Sequence, residues 1–452
     1  MLASSSCPLA PGVRRLERTL YTYAGLEDFV LLYPFYALLF AEHGLSTAEI
    51  SSLFALWSLT GLLVEVPSGV WADVVSRRLM MVVGPLLAAA GFALWVIVPS
   101  YGGFAAGFVL WAVGGSLRSG AMEALVHDEL ERLGATGRYA GVMGRTSAVS
   151  TVATAAATAA AGPVFAWGSH RVLGAASIGA CLLCSVAGLM MPENRTAVRP
   201  APTGSRSSGS RPAEPRSSEP RSSDSRSPES RKSESRKSAG FFGVLRAGLR
   251  EAGGSRPVRN ALILSVALTS LWGALDEYVP LLAASTGVAT TTVPWLVLIV
   301  WGGVTLGSLL VGPGERLSSR ALGVAVATAA GALAGGAILG SPTGFVLVGA
   351  GFLVFQLADV LVDARLQEAI TGPNRATVTS LAGLGSGLGT LLVYGTYAAL
   401  STRVSHGTTF ALLALPYAAV ALVLSRPRFL RPGGRGDEYA DVRGPEGSTD
   451  GR

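Results

Sequence analysis

The chain has 452 residues, half of them hydrophobic and only 14% charged, with a mean hydropathy of +0.46. A soluble domain carries about 25% charged residues, so this composition excludes a soluble enzyme and points to a polytopic membrane protein. The net charge of +7 rests almost wholly on arginine, the only lysines being Lys232 and Lys237.

The opening "MLASSSCPLAPGVRRLERTL" carries arginines but no apolar core ahead of a small-residue cleavage site, so it is not a secretory signal. No apolar segment precedes Cys7, which argues against a lipoprotein. Residues 1–19 are therefore expected to be a cytoplasmic tail. Beyond them come about twelve apolar segments of the length that crosses a hydrocarbon core. They cover 20–42, 47–70, 79–99, 103–125, 141–166 and 172–191, then 260–284, 292–312, 321–340, 343–366, 376–399 and 408–425. The expected architecture is all-α, with one six-helix bundle over 20–192 and a second over 259–425.

Arginine distribution orients these spans. One set of connections holds Arg14, Arg15, Arg18, Arg77, Arg78, Arg132, Arg138, Arg316, Arg320, Arg365, Arg375, Arg426, Arg428 and Arg431. The alternate set offers only Arg171 and Arg403. The positive-inside rule then places both termini, and the tail 426–452, on the cytoplasmic side of the cell membrane.

Cys181 and Cys184 form a C-x-x-C inside an apolar helix, without further ligands, and read as small packing residues. Between the halves, residues 193–240 are rich in Ser, Arg and Glu, with arginine every five residues from Arg206 to Arg236. Acids keep the same period and largely cancel the basic charge, and no aromatics offer stacking. The tract reads as a solvated, disordered cytoplasmic linker and not as an RNA-binding arm. Over 241–258, "FFGVLRAGLR" sets Phe241, Phe242, Leu245 and Leu249 on one helical face and Arg246 and Arg250 opposite. Such a helix suits the membrane surface.

The halves resemble each other. "LEDFV" at Leu26 matches "LDEYV" at Leu275, and "GVWADVVSR" at Gly69 shares its spacing with "GPGERLSSR" at Gly312. "GF" at Gly103 pairs with "GF" at Gly344, and "GRYA" at Gly137 with "NRAT" at Asn374. These offsets of 249, 243, 241 and 237 residues fall steadily, as two diverged copies with small deletions require.

With those residues in place, the chain resembles the major facilitator superfamily, in a prokaryotic, drug-efflux-like branch. That family carries G-x3-D-[RK]-x-G-[RK]-[RK] between spans two and three. Gly69, Asp73, Arg77 and Arg78 match it, while Val74 replaces a basic residue and Ser76 a glycine. "EVPSG" and "GSLRSGAMEALVHDEL" look like the same branch. The resemblance implies a conformation-sensitive latch built on Asp73 and Arg77, with Asp128 as a third member. Gly162–Pro163 resembles a motif in the fifth span of antiporters, although Ala166 and Trp167 replace its paired glycines.

Ionisable groups inside a span are expensive and usually face a cavity or a partner. Glu27 and Asp28 lie seven or eight residues into span one, and Arg118 lies at a similar distance from the end of span four. Relatives place a functional arginine in that helix, which implies that Arg118 pairs with one of the two acids. Adjacent residues point about 100° apart on a helix, so only one acid is expected to face it. The second half supplies Asp276, Glu277 and Asp359 as further proton or cationic-substrate positions. Glu65, Glu123 and Asp363 sit near the cytoplasmic boundary, where charge is cheap. Trp57, Trp111, Trp272 and Trp301 could line an apolar cavity, though interfacial or core packing explains most such tryptophans.

The resemblance implies a secondary active transporter that works by alternating access, with proton-coupled export of a small apolar or cationic molecule. The alternatives are a solute importer or facilitator, or a non-transporting scaffold or sensor of the same fold. No Walker loop, dinucleotide fingerprint or metal-ligand cluster is present, and His43, His127, His170 and His406 are scattered. No cofactor, metal or nucleic acid is expected. The expected partners are a small-molecule substrate, protons and the lipid bilayer, around a monomer.

Overall fold

The computed structural model describes residues 11–74, 76–193, 256–370 and 375–425; of 66–74, 256–257 and 376 only the backbone is described. The expected linker 193–240 beyond Glu193, the surface helix 241–258 up to residue 255, and the tail 426–452 lie outside these residues.

Among the described residues every regular element is helical. The first half contains α1 (Pro11–Asp28), α2 (Tyr36–Glu42), α3 (Thr47–Val74), α4 (Arg77–Ile97), α5 (Tyr101–Arg132) and α6 (Tyr139–Leu189). The second contains α7 (Arg256–Asp276), α8 (Val279–Ser285), α9 (Val293–Leu309), α10 (Val311–Gly314) and α11 (Ser319–Ile338). It ends with α12 (Gly344–Ala369), α13 (Arg375–Ser401), α14 (His406–Leu413) and α15 (Leu415–Leu424). Nine helical stretches among the described residues are long and apolar enough to cross a membrane.

The tail expected over 1–19 is helical from Pro11 onward. Val13, Leu16, Leu20, Tyr23 and Ala24 form one buried face, while Arg14, Arg15 and Arg18 point outward. The arginines lowered the local hydropathy and concealed a helix with one apolar stripe. Buried Glu17 is matched by Arg138, at 3.0 Å.

At 51 residues, α6 is about twice the length a bilayer requires. Gly168 and Ser169 leave the helical conformation inside it, Ser169 with φ of +62°. Near one end, Tyr139 packs on His127 of α5, ring centroids 5.7 Å apart. Just past the other end, Glu193 accepts from the Arg77 amide at 2.9 Å. Both ends therefore lie at one face of the molecule, and the chain reverses at Gly168–Ser169. That break falls between the expected spans 141–166 and 172–191.

Close helix contacts rest on glycine. A Cβ on Gly91 of α4 would lie 2.6 Å from the Gly107 carbonyl of α5, and one on Gly114 would lie 2.5 Å from that of Gly84. In the second half, Gly303 meets Gly349 and Gly336 meets Gly344 in the same manner. Small residues let apolar helices approach until their backbones touch, which is the main source of packing energy without a hydrophobic driving force.

The halves meet along α3 and α13 and along α6 and α9. Tyr278 donates to Ser51 Oγ at 2.8 Å, and Phe54 packs on Tyr278 and Tyr394 at 5.4 and 5.7 Å. A Cβ on Gly162 would stand 2.6 Å from the Thr291 carbonyl. Ser51, Gly162 and Thr291 all belong to the face opposite the arginine-rich connections, called here the distal face. The other is the basic face.

Candidate functional site

Both halves interrupt their first spanning segment at an acidic pair, after Asp28 in the first and between Asp276 and Glu277 in the second. α1 ends at Asp28 and α2 starts only at Tyr36; α7 ends at Asp276 and α8 starts at Val279. Pro34 and Pro280 lie within or just after these breaks. Proline lacks the N–H that would bond the carbonyl four residues back, and its ring clashes with that turn. The acids consequently stand at helix C-termini, beside backbone released from helical bonding.

A cavity of about 490 Å³ opens beside the first break. Its walls include Glu27, Asp28, Tyr33, Trp57, Gly61, Pro85, Trp111 and Arg118, with Cys181 and Cys184 at the back. This volume lies within the range of small-molecule sites. Arg118 of α5 is ion-paired with Glu27 of α1, both side chains partly exposed to the cavity. Asp28 lines the same chamber and makes no hydrogen bond or ion pair with another described residue. Glu65 also lines it.

A second chamber, of about 150 Å³, lies between the halves. It shares Tyr33 and Trp111 with the first and adds Tyr36, Asp276, Glu277, Pro280, Val297 and Trp301. Trp301 Nε1 donates to Asp276 Oδ1 at 2.9 Å. Tyr33 stacks on Trp111 at 5.7 Å, and Trp57 stacks on the same indole at 5.2 Å. Trp272, by contrast, faces Asp359 of α12, donating at 3.2 Å while Thr269 donates at 2.7 Å. Asp359 is thus satisfied by two neutral donors and lines neither chamber.

At the basic face Arg77 is ion-paired with Asp128 of α5. Gly69 and Asp73 fall on α3 where only the backbone is described, so the Asp73 carboxylate lies outside the described side chains. Ser76, where the family signature has glycine, caps α4: its Oγ accepts from the Leu79 amide at 3.1 Å. The same hydroxyl donates to Glu193, whose other oxygen takes the Arg77 amide. Glu193 thereby ties the end of α6 to the start of α4, a contact that hydropathy and spacing did not reveal. The proline following each acidic pair was a signal available in the sequence, since Pro34 and Pro280 lie 246 residues apart, inside the series of repeat offsets. His127, Asp128 and Glu131 offer ligand atoms within 4.8 Å of one another, but all are exposed and Asp128 already faces Arg77.

A sequence model of the Major Facilitator Superfamily matches residues 24–393. The chain belongs to the major facilitator superfamily. It is a multi-pass membrane protein of a family that carries small molecules. No curated protein matches it in sequence. Its fold is similar to that of the nucleoside transporter NupG, with a TM-score of 0.68 at 11% identity, over 92% of this chain and 98% of that one. A bacterial homolog of the human lysosomal transporter Spinster, solved inward-facing and unoccupied, aligns with a TM-score of 0.63 at 15% identity. That alignment covers 92% of this superfamily member and 98% of the homolog. A D-xylose-proton symporter aligns with a TM-score of 0.60 at 13% identity, over 92% and 97% of the respective chains. At these identities the likeness carries the fold and not the substrate.

Proposed function

We propose that this superfamily member is a secondary active transporter that exports a small molecule in exchange for protons. The observation that carries the reading is the Arg118–Glu27 pair in the wall of the larger cavity. A charged pair at such depth is costly for a passive scaffold. Protonation of Glu27 removes its attraction for Arg118, so proton binding and the α1–α5 contact are linked. A ligand or proton that prefers one of two arrangements shifts the population between them. Asp28, Asp276, Glu277 and Asp359 are the remaining proton or substrate positions.

Arg77 and Asp128, together with Asp73 beside Gly69, form the latch that opens and closes the basic face in this reading. Arginine crowding makes that face cytoplasmic, with both termini on it, a disordered linker over 193–240 and a surface helix over 241–258. The protein works as a monomer of two six-helix bundles, 20–192 and 259–425. Export is favoured over import by Gly162–Pro163, whose glycine packs against Thr291 of the second half.

Reconstitution in proteoliposomes tests the coupling. An imposed pH gradient should drive a compound from a broad panel, and Glu27→Gln should abolish the gradient dependence while exchange at equal pH persists. Gradient-independent flux in the wild type would reassign the protein as a facilitator. Flux driven with the proton gradient would make it an importer of symport type.

A further inference from the structure

We infer that the small chamber binds the head of an organic ammonium ion whose apolar body lies in the larger chamber. The inference rests on the cavity being the transport route proposed above. A volume of about 150 Å³ holds the equivalent of about five waters, at ~30 Å³ each. That is too small for a whole drug-sized ligand, which usually occupies ~300 Å³ or more. Tyr33 and Trp111 line both chambers, so the two abut at these side chains, and the proposed ligand reaches from one into the other past these rings.

The charge of the small chamber sets the sign of its ligand. Asp276 and Glu277 line it and, among the described residues, no cationic side chain does. Arg118, on the wall of the larger chamber, is already engaged by Glu27. Trp301 satisfies one oxygen of Asp276, whereas Glu277 makes no hydrogen bond or ion pair with another described residue. A carboxylate held against apolar walls without a partner is destabilised until a cation or proton reaches it. α7 ends at Asp276, so the negative end of its dipole adds to the same field.

The walls select the kind of cation. Tyr33, Tyr36, Trp111 and Trp301 surround the acids, with Tyr36 edge-on to the Trp111 ring at 6.3 Å. Aromatic faces attract a diffuse alkylammonium charge without hydrogen bonds. A hard metal ion favours a closely spaced set of several carboxylate or carbonyl oxygens, and among the described residues no third acid, His or Cys joins Asp276 and Glu277 here.

Equilibrium dialysis of the purified full-length protein in detergent, with no gradient present, tests the inference. The probes are benzyltrimethylammonium, benzyl alcohol and benzoate, which share one aryl body and differ in charge. The wild type should bind the cation at least ~10-fold more tightly than the other two, the scale of a desolvated cation–aromatic contact. Glu277→Gln and Trp111→Leu should each weaken the cation about tenfold. Equal binding of the three probes, or no cation preference at millimolar concentrations, overturns the inference using wild-type protein alone. Cation binding that both variants retain in full also overturns it, by placing the ligand elsewhere. Charge-selective binding without gradient-driven flux would remove proton coupling and leave the site standing. Flux of other compounds without cation binding would do the reverse.

Discussion

Arg118 and Glu27 come from different helices, and their side chains retain 26% and 19% exposure, enough for water to reach both. Removing one partner strands the other charge in the cavity wall, whereas removing both leaves neither charge to solvate. Arg118→Met should therefore lower the stability of the detergent-solubilised protein by about 2 kcal/mol, below the fully buried limit because of that water. The double variant Glu27→Gln/Arg118→Met should recover most of the loss. Thermal unfolding of the three proteins checks this, and a double variant no more stable than Arg118→Met would show that an unpaired Glu27 carries no cost. That Glu27, and not Asp28, meets Arg118 was not legible in the sequence. Neighbouring residues diverge by about 100° on a helix, and only the packing of α1 against α5 and α6 selects the azimuth.

At the scale of elements, backbone contact and backbone rupture do different work. α4 and α5 touch through Gly91 and Gly107, where a new Cβ would meet the carbonyl at 2.6 Å. Gly91→Leu should cost about 3 kcal/mol or block folding, read as loss of the monodisperse peak after solubilisation. The breaks after Asp28 and Asp276 have the opposite effect, holding the acids at helix ends. Pro280→Ala returns the missing N–H and permits α7 and α8 to join. This variant should unfold at an equal or higher temperature yet lose substrate-dependent flux, and unchanged flux would show that the break is dispensable. The corresponding loops are also pinned differently in the two halves. Arg77 reaches from the α3–α4 connection to Asp128, while Arg365 of α12 donates to the Leu317 carbonyl at 3.1 Å. Each half has a guanidinium clasp at this corner, but the first supplies the arginine from the connection and the second from the facing helix.

For the whole molecule, the halves touch at the distal face through Ser51–Tyr278 and Gly162–Thr291. A two-bundle transporter has to part these surfaces in one stage of its cycle and rejoin them in another. Gly162→Val would put side-chain atoms where the Thr291 carbonyl now stands, and so favour the arrangement in which the distal face is open. Introduced into a cysteine-free background with Ser58→Cys on the cavity wall, it should raise labelling by an impermeant maleimide from the distal side several-fold. Equal labelling with and without Gly162→Val would mean this contact does not gate the cavity.

Composition and the lengths of the apolar runs were enough to establish a helical membrane protein, because a bilayer admits little else that satisfies its backbone. The ordered offsets between the halves and the Gly69–Arg78 signature led to the family, since spacing survives divergence that erases identity. Helix register was recorded less faithfully. Residues 11–19 are helical because an amphipathic stripe, invisible to mean hydropathy, finds a partner surface in α5 and α6. Only tertiary structure decided that Glu27 takes Arg118, that Asp359 is satisfied by Thr269 and Trp272, and that Tyr33 and Trp111 line two neighbouring chambers. These choices depend on which faces of distant helices meet, and a linear pattern carries the period of each helix but not its rotation against its neighbours.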